Sequence, residues 1–249
     1  GVLSVSNIKT LAWDNLSNEE YRSAVAMYTV LIQEGEADST TYAARGYALS
    51  HLEEHALAVQ DYTTALELNP ESLAIYNNRC WAYSEVGEFD RALNDCNYLM
   101  SQAPEADYPY LNRGIVYENM GNMEAALNDY MEWINRRGQQ VITNENLSWM
   151  GNIEVPMNDG AVYLFPFTAS AGQNIVVSAT SVERDNDADP LVLIIDSNGQ
   201  PLVANDDSGQ WWDSYVNFQA PATGEYTIVL THAGGSTDGI IDVAFDFSG

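Results

Sequence analysis

The sequence has 249 residues, which suits one or two domains, and its 36 acidic and 9 basic residues give a net charge of −27. Because contacts to phosphate depend on Lys and Arg, this charge argues against nucleic acid and anionic membrane surfaces as partners. The longest apolar runs, such as residues 191–195, are far shorter than the ~18 residues of a membrane-spanning helix. The charge indicates either high solubility or a preference for cations and basic partners.

A set of residues recurs with a spacing of 34 in the first part of the chain. The equivalent positions are Tyr42, Tyr76 and Tyr110; Arg45, Arg79 and Arg113; Gly46, Cys80 and Gly114; Ala58, Ala92 and Ala126; Asp61, Asp95 and Asp129; and Tyr62, Cys96 and Tyr130. Residues 5–38 form a weaker copy. Each unit predicts two amphipathic helices with a turn near Gly87 or Gly121, and Pro70 or Pro104 ends the second helix. Because one hairpin cannot bury its apolar face alone, we expect neighbouring hairpins to stack.

The segment YAARGYALSHLEEHALAVQDYTTALELNP, residues 42–70, carries nearly every signature position of the tetratricopeptide repeat. Residues 5–138 resemble that family. The resemblance implies an α-α superhelix of about four hairpins, at 5–38, 39–72, 73–106 and 107–140, in a domain of residues 1–138. In this family the first helices of the hairpins line a groove that holds a protein or peptide.

The resemblance also implies which residues face the groove. By alignment with the family they are Tyr47, Asn77, Trp81, Tyr108, Leu111 and Ile115, with Ser50, Ser84 and Glu118 beside them. The lysine Lys9 lies in the weak first copy, so the cationic clamp that some members use for a carboxylate is not expected. We therefore expect a neutral, apolar or basic peptide as the ligand. The alternative is that Trp81 and Tyr108 pack against the next hairpin or the second domain.

Arginine and aspartate recur 16 residues apart, as Arg45 and Asp61, Arg79 and Asp95, and Arg113 and Asp129. This spacing predicts a repeated ion pair between the two helices of a hairpin, which orients the helices more than it stabilises them. A row of arginines that clamps an acidic peptide is the alternative.

The cysteines and two of the histidines fall on the predicted helices. Cys80 and Cys96 lie on the two predicted helices of one hairpin. They form either a disulfide or two buried free thiols, and the sequence does not decide between these alternatives. His51 and His55 are predicted on one helix, four residues apart, as part of a solvated face.

The character of the sequence changes after residue 138, where helical periodicity ends and Gly, Asn, Asp, Thr and Val become frequent. Residues 139–150 are predicted as a linker or a first strand. Short runs bounded by turn residues then predict strands at 162–167, 174–180, 191–196, 201–204, 215–219, 225–231 and 240–247. Seven or eight strands in about 100 residues favour an all-β sandwich or jelly roll over residues 151–249.

This second part resembles the bacterial pre-peptidase C-terminal domain. The stretches that carry the resemblance are YLFPFTASAGQNIVVSAT, DADPLVLIIDSNGQPLVANDDSG and YVNFQAPATGEYTIVLTH. Such domains accompany secreted hydrolases or occur in other envelope proteins, and they are not catalytic. The resemblance therefore implies an extracellular or cell-envelope location, with the cytoplasm less favoured. Because residues 1–4 lack the pattern of a signal peptide, export would mean that a leader has been removed.

Two acidic loops of the second domain are candidates for a Ca²⁺ site. Their carboxylates are those of Asp185, Asp187 and Asp189, and of Asp206, Asp207 and Asp213. Ca²⁺ takes about six to eight oxygen ligands, but the spacing lacks the pattern of a calcium-loop motif, and turn formation by Asp is the alternative. The adjacent Trp211 and Trp212 suit stacking on a sugar ring, docking of a protein, or closure of one end of the sandwich.

A catalytic motif is missing from the sequence: it has no nucleophile elbow, phosphate loop or dinucleotide fingerprint. We therefore expect no enzymatic activity and no cofactor, with Ca²⁺ as the open exception. The sequence favours a scaffold that captures a protein or peptide in the helical groove. The alternative is a calcium-dependent adhesion or carbohydrate-binding module that acts through the sandwich.

Overall fold

The structure, a computed structural model, describes residues 4–136, 140–143, 150–157, 161–182, 189–205, 213–234 and 239–247. These residues form eight helices and nine strands. The chain divides into two compact units, Gly1–Asn122 and Met123–Gly249. The first unit contains the first seven helices, and the second contains the last helix and the strands.

The helices are α1 (Val5–Ser17), α2 (Tyr21–Gln33), α3 (Ser39–Ser50), α4 (His55–Leu68), α5 (Leu73–Glu85), α6 (Phe89–Gln102), α7 (Tyr108–Asn119) and α8 (Met123–Arg136). In the first unit α1 packs on α2, α3 on α4, and α5 on α6, and each hairpin contacts the helix that follows it. The first helices α3, α5 and α7 also contact one another in sequence. None of the helices in the described part of the chain combines the length and the apolar character needed to cross a membrane.

The turn inside each hairpin contains a residue with a positive φ angle. These residues recur at the 34-residue spacing: Glu19 (φ 60°), Glu53 (φ 62°), Gly87 (φ 75°) and Gly121 (φ 76°). Glycine adopts this left-handed conformation without a steric penalty, whereas glutamate does not. The first two hairpins therefore place an acidic side chain where the later turns have none.

A small residue in the first helix lets the second helix of the hairpin approach closely. The Tyr62 ring on α4 lies against Gly46 on α3, and a Cβ atom at position 46 would be 2.9 Å from the ring. Tyr62 and Ala58 are buried. The recurrence of small residues at this position follows from the space that the ring occupies.

The strands are β1 (Gln140–Thr143), β2 (Met150–Met157), β3 (Ala161–Ala169), β4 (Asn174–Ser181), β5 (Asp189–Asp196), β6 (Pro201–Asn205), β7 (Ser214–Gln219), β8 (Gly224–Gly234) and β9 (Gly239–Asp246). They form a five-stranded sheet in the order β1-β3-β8-β5-β6 and a four-stranded sheet in the order β2-β9-β4-β7. The pairs are antiparallel except for β1 with β3. Helix α8 packs on the edge strand β6 within the same unit.

Alternate residues of both sheets point into one apolar core. Phe165 on β3 and Ile194 on β5 lie opposite Ile228 on β8, and Val177 on β4 lies opposite Phe245 on β9. All five belong to the same buried cluster. Paired helices followed by two sheets around one apolar core confirm the predicted fold class, a helical repeat array followed by a β-sandwich. β1 falls inside the segment predicted as a linker or first strand, and β2 was not predicted.

Candidate partner-binding groove

The residues expected to face the groove lie on the first helices of successive hairpins. Tyr47 is on α3, Asn77 and Trp81 are on α5, and Tyr108, Leu111 and Ile115 are on α7. Tyr47 and Tyr108 are 41% and 37% exposed, and Asn77, Trp81 and Ile115 are half-buried. Leu111 is buried, so it offers little surface to a partner. Partner binding by these residues remains a prediction.

Trp13 on α1 occupies the same repeat position, although it was not among the residues expected from the sequence to face the groove. It precedes Tyr47 by 34 residues, and Trp81 and Ile115 follow at the same spacing. Its side chain is 61% exposed. The signal was in the sequence, because the 34-residue period extends into the weaker first copy, where Ala24 and Tyr28 are in register with Ala58 and Tyr62.

Further rings lie beside Tyr47 and Trp81. Tyr21 stacks on His51 with ring centroids 4.4 Å apart, and the Tyr47 ring meets His51 edge-on at 4.4 Å. The Tyr21 and Tyr47 centroids are 6.5 Å apart. Between the second and third hairpins, His55 on α4 meets Trp81 on α5 edge-on at 5.1 Å. We call Trp13, Tyr21, Tyr47, His51, His55 and Trp81 the aromatic strip.

His51 and His55 do not share a helix, which corrects the sequence-based prediction. α3 ends at Ser50 and α4 begins at His55, and Glu53 between them has a positive φ angle. The turn was missed because glutamate rather than glycine occupies the left-handed position. Each histidine contacts an aromatic ring of the strip, and His51 remains exposed to solvent whereas His55 is half-buried.

The His55 imidazole is partly enclosed. Its Nδ1 atom is buried without a hydrogen-bond partner. Burial lowers the pKa of His55 from its ordinary value, and the nearby charge of Glu53 opposes this effect. The neutral imidazole is therefore favoured in the folded protein.

Amide and hydroxyl groups join neighbouring first helices beside the strip. The Asn112 Nδ2 atom on α7 donates to Asn77 Oδ1 on α5 at 2.5 Å, and Asn119 Nδ2 donates to Ser84 Oγ at 3.0 Å. Ser84 is buried, as is Ser50 on α3. These two serines were expected to face the groove, but their burial makes them part of the packing between helices.

Arginine side chains connect each hairpin to the one before it. Arg45 forms two 2.7 Å hydrogen bonds with Asp61 of its own hairpin and one of 3.1 Å with Thr29 of the preceding hairpin. Arg79 repeats this pattern, with Asp95 at 2.7 and 2.9 Å and Thr63 at 3.2 Å.

Both predicted ion pairs in these hairpins are thus confirmed. The hydrogen bond and charge of Asp61 raise the pKa of Arg45. Because Arg45 and Arg79 are held by these internal contacts, a row of arginines available to clamp an acidic peptide is not supported. Arg113 contacts Asn97 at 2.8 Å, 16 residues back, and its pairing with Asp129 remains a prediction.

A disulfide joins Cys80 on α5 to Cys96 on α6, with the Cα atoms 5.8 Å apart. Of the two alternatives left open by the sequence, the structure has the bridge. Both cysteines are fully buried. They occupy the positions that Gly46 and Tyr62 hold in the preceding hairpin, so a covalent bond replaces the contact between ring and glycine.

The candidate Ca²⁺ ligands are mostly outside the described residues. Asp185, Asp187, Asp206 and Asp207 lie there, as do Trp211 and Trp212, and the side chain of Asp189 is likewise outside the description. The Asp213 carboxylate accepts a hydrogen bond from the Ser181 backbone N–H at 3.3 Å and so links two segments of the chain. Within the described part of the chain, no group of three metal-binding side chains is found. The Ca²⁺ site and a sugar-binding role of the two tryptophans remain predictions.

Comparison with protein families agrees with both resemblances. The tetratricopeptide repeat model matches residues 39–72 and 108–139, and the bacterial pre-peptidase C-terminal domain model matches residues 162–232. Both family resemblances inferred from the sequence are thereby confirmed. No curated protein matches the chain.

Solved structures similar to the chain are tetratricopeptide repeat proteins. The crystal structure of YrrB, a TPR protein with an unusual peptide-binding site, is 22% identical with a TM-score of 0.51, over 53% of this chain and 69% of YrrB. MamA is 19% identical with a TM-score of 0.49, over 53% of this chain and 78% of MamA. A tetratricopeptide repeat protein from Parabacteroides merdae is 23% identical with a TM-score of 0.46, over 53% of this chain and 52% of its own. At these identities the similarity concerns the fold.

Proposed function

Because tetratricopeptide repeats precede a sandwich of the bacterial pre-peptidase C-terminal type in this chain, we propose that the protein captures a protein or peptide in the groove along its first helices. The tetratricopeptide fold supports a protein–protein interaction scaffold, and repeats of this kind generally serve in interaction rather than in catalysis. Capture of an extended peptide is the finer proposal.

The observation that carries the proposal is the recurrence of an aromatic side chain at one repeat position. Trp13 and Tyr47 are exposed and Trp81 is half-buried, on the first helices of three successive hairpins. A single exposed aromatic residue needs no explanation, but three at equivalent positions give a surface on which one extended ligand can bind. Aromatic residues of this kind dominate binding energy at protein interfaces.

A peptide-display library panned on the full-length protein tests the proposal. Peptides enriched on the wild type should be lost on the Trp81→Ala and Tyr47→Ala variants, since each loses a ring of the strip. Tyr215→Ala is the matched control, because Tyr215 is a 48% exposed aromatic residue on β7 of the sandwich. Thermal melting of each variant checks that it is folded. Failure to enrich any peptide, or undiminished capture by both groove variants, would contradict the proposal.

We also propose that the protein works in the cell envelope or outside the cell. Disulfides persist in oxidising compartments and are rare in the cytosol. The Cys80–Cys96 bridge therefore supports a location in an oxidising compartment. The test is mass spectrometry of the protein isolated from its native cells after rapid alkylation of free thiols. Alkylated Cys80 and Cys96 in most molecules would overturn this location.

A further inference from the structure

Negative charge predominates around the aromatic strip, although Arg22 directly follows Tyr21 and Lys9 lies four residues before Trp13 on α1. The turns of the first two hairpins carry Glu19 and Glu20, and Glu53 and Glu54, all exposed. Glu20 directly precedes Tyr21, and Glu54 directly precedes His55, so carboxylates flank the rings along the chain. Attraction of a cationic ligand to the strip follows from this arrangement.

Basic side chains in these hairpins do not neutralise the carboxylates. Residues 5–72 contain 11 acidic residues and three basic ones, which are Lys9, Arg22 and Arg45. The Arg45 guanidinium is held by Asp61 and Thr29. A ligand with positive charge would therefore meet a surface with a clear excess of negative charge.

The exposed rings favour one kind of cation. A guanidinium group is planar and weakly hydrated, so it stacks on aromatic faces better than the compact ammonium of lysine does. The chain itself uses this contact, since the Arg79 guanidinium lies 5.5 Å from the Tyr76 ring centroid and 5.4 Å from that of Tyr83. Arginine side chains thus suit both the rings and the carboxylates of the strip.

From these observations, and resting on the proposed function of the groove, we propose that the aromatic strip binds arginine-bearing segments of a partner protein. Trp13, Tyr47 and Trp81 stack on the guanidinium groups. Glu19, Glu20, Glu53 and Glu54 supply the opposing charge from the turns of the first two hairpins. The ligand is an extended basic segment, which narrows the neutral, apolar or basic peptide expected from the sequence.

Binding of four short Gly/Ser peptides to the full-length protein tests this inference. The peptides carry several arginines, lysines, citrullines or leucines at the same positions, and citrulline keeps the shape of arginine without its charge. We expect the arginine peptide to bind most tightly by calorimetry, with an affinity that falls as salt rises. Trp13→Ala and Trp81→Ala should each weaken it by roughly three- to thirty-fold, the range of one cation–π contact. Glu19→Gln combined with Glu53→Gln should weaken it and flatten its salt dependence.

Two control variants separate the strip from general effects. Leu68→Ala removes a 56% exposed apolar side chain from α4, and Tyr215→Ala removes an exposed ring from the sandwich. Both should leave the affinity unchanged. Because Trp13 is 61% exposed, its truncation should leave the fold intact even if Trp81→Ala proves unstable.

The outcomes distinguish this inference from the proposed function. If the citrulline or the lysine peptide binds as tightly as the arginine peptide, or if the leucine peptide binds most tightly, recognition of arginine is overturned. The proposal that the groove captures a peptide is not contradicted by these results. The same holds if none of the four peptides binds but the display library yields ligands for the groove. If the library yields none either, the proposed function fails as well. A Trp13→Ala variant that changes the oligomeric state rather than peptide affinity would assign the strip to self-association and overturn the inference.

Discussion

Replacement of both Cys80 and Cys96 by alanine should lower the free energy of unfolding of the helical unit by about 3 kcal/mol. The disulfide joins residues separated by 16 positions, and the loss of loop-closure entropy predicts about 3 kcal/mol for a loop of ~15 residues. Both side chains are fully buried, so their truncation also removes packing contacts with neighbours such as Val116. The loss should therefore be no smaller than the entropic figure.

A second double variant, Cys80→Gly with Cys96→Tyr, rebuilds the pair found at Gly46 and Tyr62. The ring should then pack on the glycine as it does in the preceding hairpin, and part of the stability should return without a covalent bond. Cys96→Tyr alone should be less stable than the double alanine variant. Its ring would meet the side chain at position 80, just as a Cβ atom at position 46 would lie 2.9 Å from Tyr62.

Urea unfolding of the full-length protein, followed by far-ultraviolet circular dichroism of the helices, measures these differences. The two compact units are fitted as separate transitions, because a single two-state fit is not valid for them. For the helical unit a loss of about 3 kcal/mol corresponds to a melting temperature roughly 10 °C lower. A double alanine variant with the wild-type midpoint would refute the reasoning. A glycine–tyrosine variant no better than the alanine pair would refute the equivalence of the two hairpins.

Four further measurements address other features. Thr63→Val should cost about 1 kcal/mol, because the hydroxyl accepts a hydrogen bond from Arg79. Thr64→Val removes only an exposed hydrogen bond from the hydroxyl to the Gln60 carbonyl oxygen of the same helix, so it should cost little in the same urea assay. Glu53→Gly should raise the free energy of unfolding by about 1 kcal/mol, since it relieves a positive φ angle; a loss would contradict this. Because the pKa of His55 is lower in the folded than in the unfolded state, the unfolded state takes up a proton at this histidine first as the pH falls. The free energy of unfolding should therefore decrease as the pH drops from the unfolded pKa of 6.5 towards the lower folded pKa. His55→Gln should flatten this dependence. Melting with Ca²⁺ and with a chelator tests the acidic loops: a higher temperature with Ca²⁺ indicates a site, and equal temperatures leave turn formation as their role.

The helical hairpins could be predicted from the sequence because the residues that pack their two helices together recur at a fixed spacing. Gly46 and Tyr62 recur as a small and a large residue, and Arg45 and Asp61 recur with them. The strands were predictable for a similar reason, since apolar residues alternate where one face of a strand is buried. Strand β2 was not predicted because Gly151 and Pro156 interrupt the alternation of apolar residues.

Other features could not be derived from patterns of residue type. The state of Cys80 and Cys96 depends on the geometry of two facing positions and on the redox conditions, neither of which the sequence records. The division of the chain between Asn122 and Met123 is equally hidden, because α8 keeps the repeat pattern while it packs on β6. The part played by Tyr21 became visible only when its ring was found stacked on His51.

The bonds between hairpins allow the array to change length in whole units. Arg79 reaches back 16 residues to Thr63, and Arg113 reaches back 16 residues to Asn97. Excision of residues 73–106 would bring Thr63 to the place that Asn97 now holds relative to Arg113, so a threonine hydroxyl would again accept the bond. The shortened protein would lose Trp81, the disulfide and the Asn112–Asn77 bond, since Ala43 would take the place of Asn77, but it would keep the bond made by Arg113. Loss or gain of one repeat would thus change the length of the helical array while a bond of this kind still joins its hairpins.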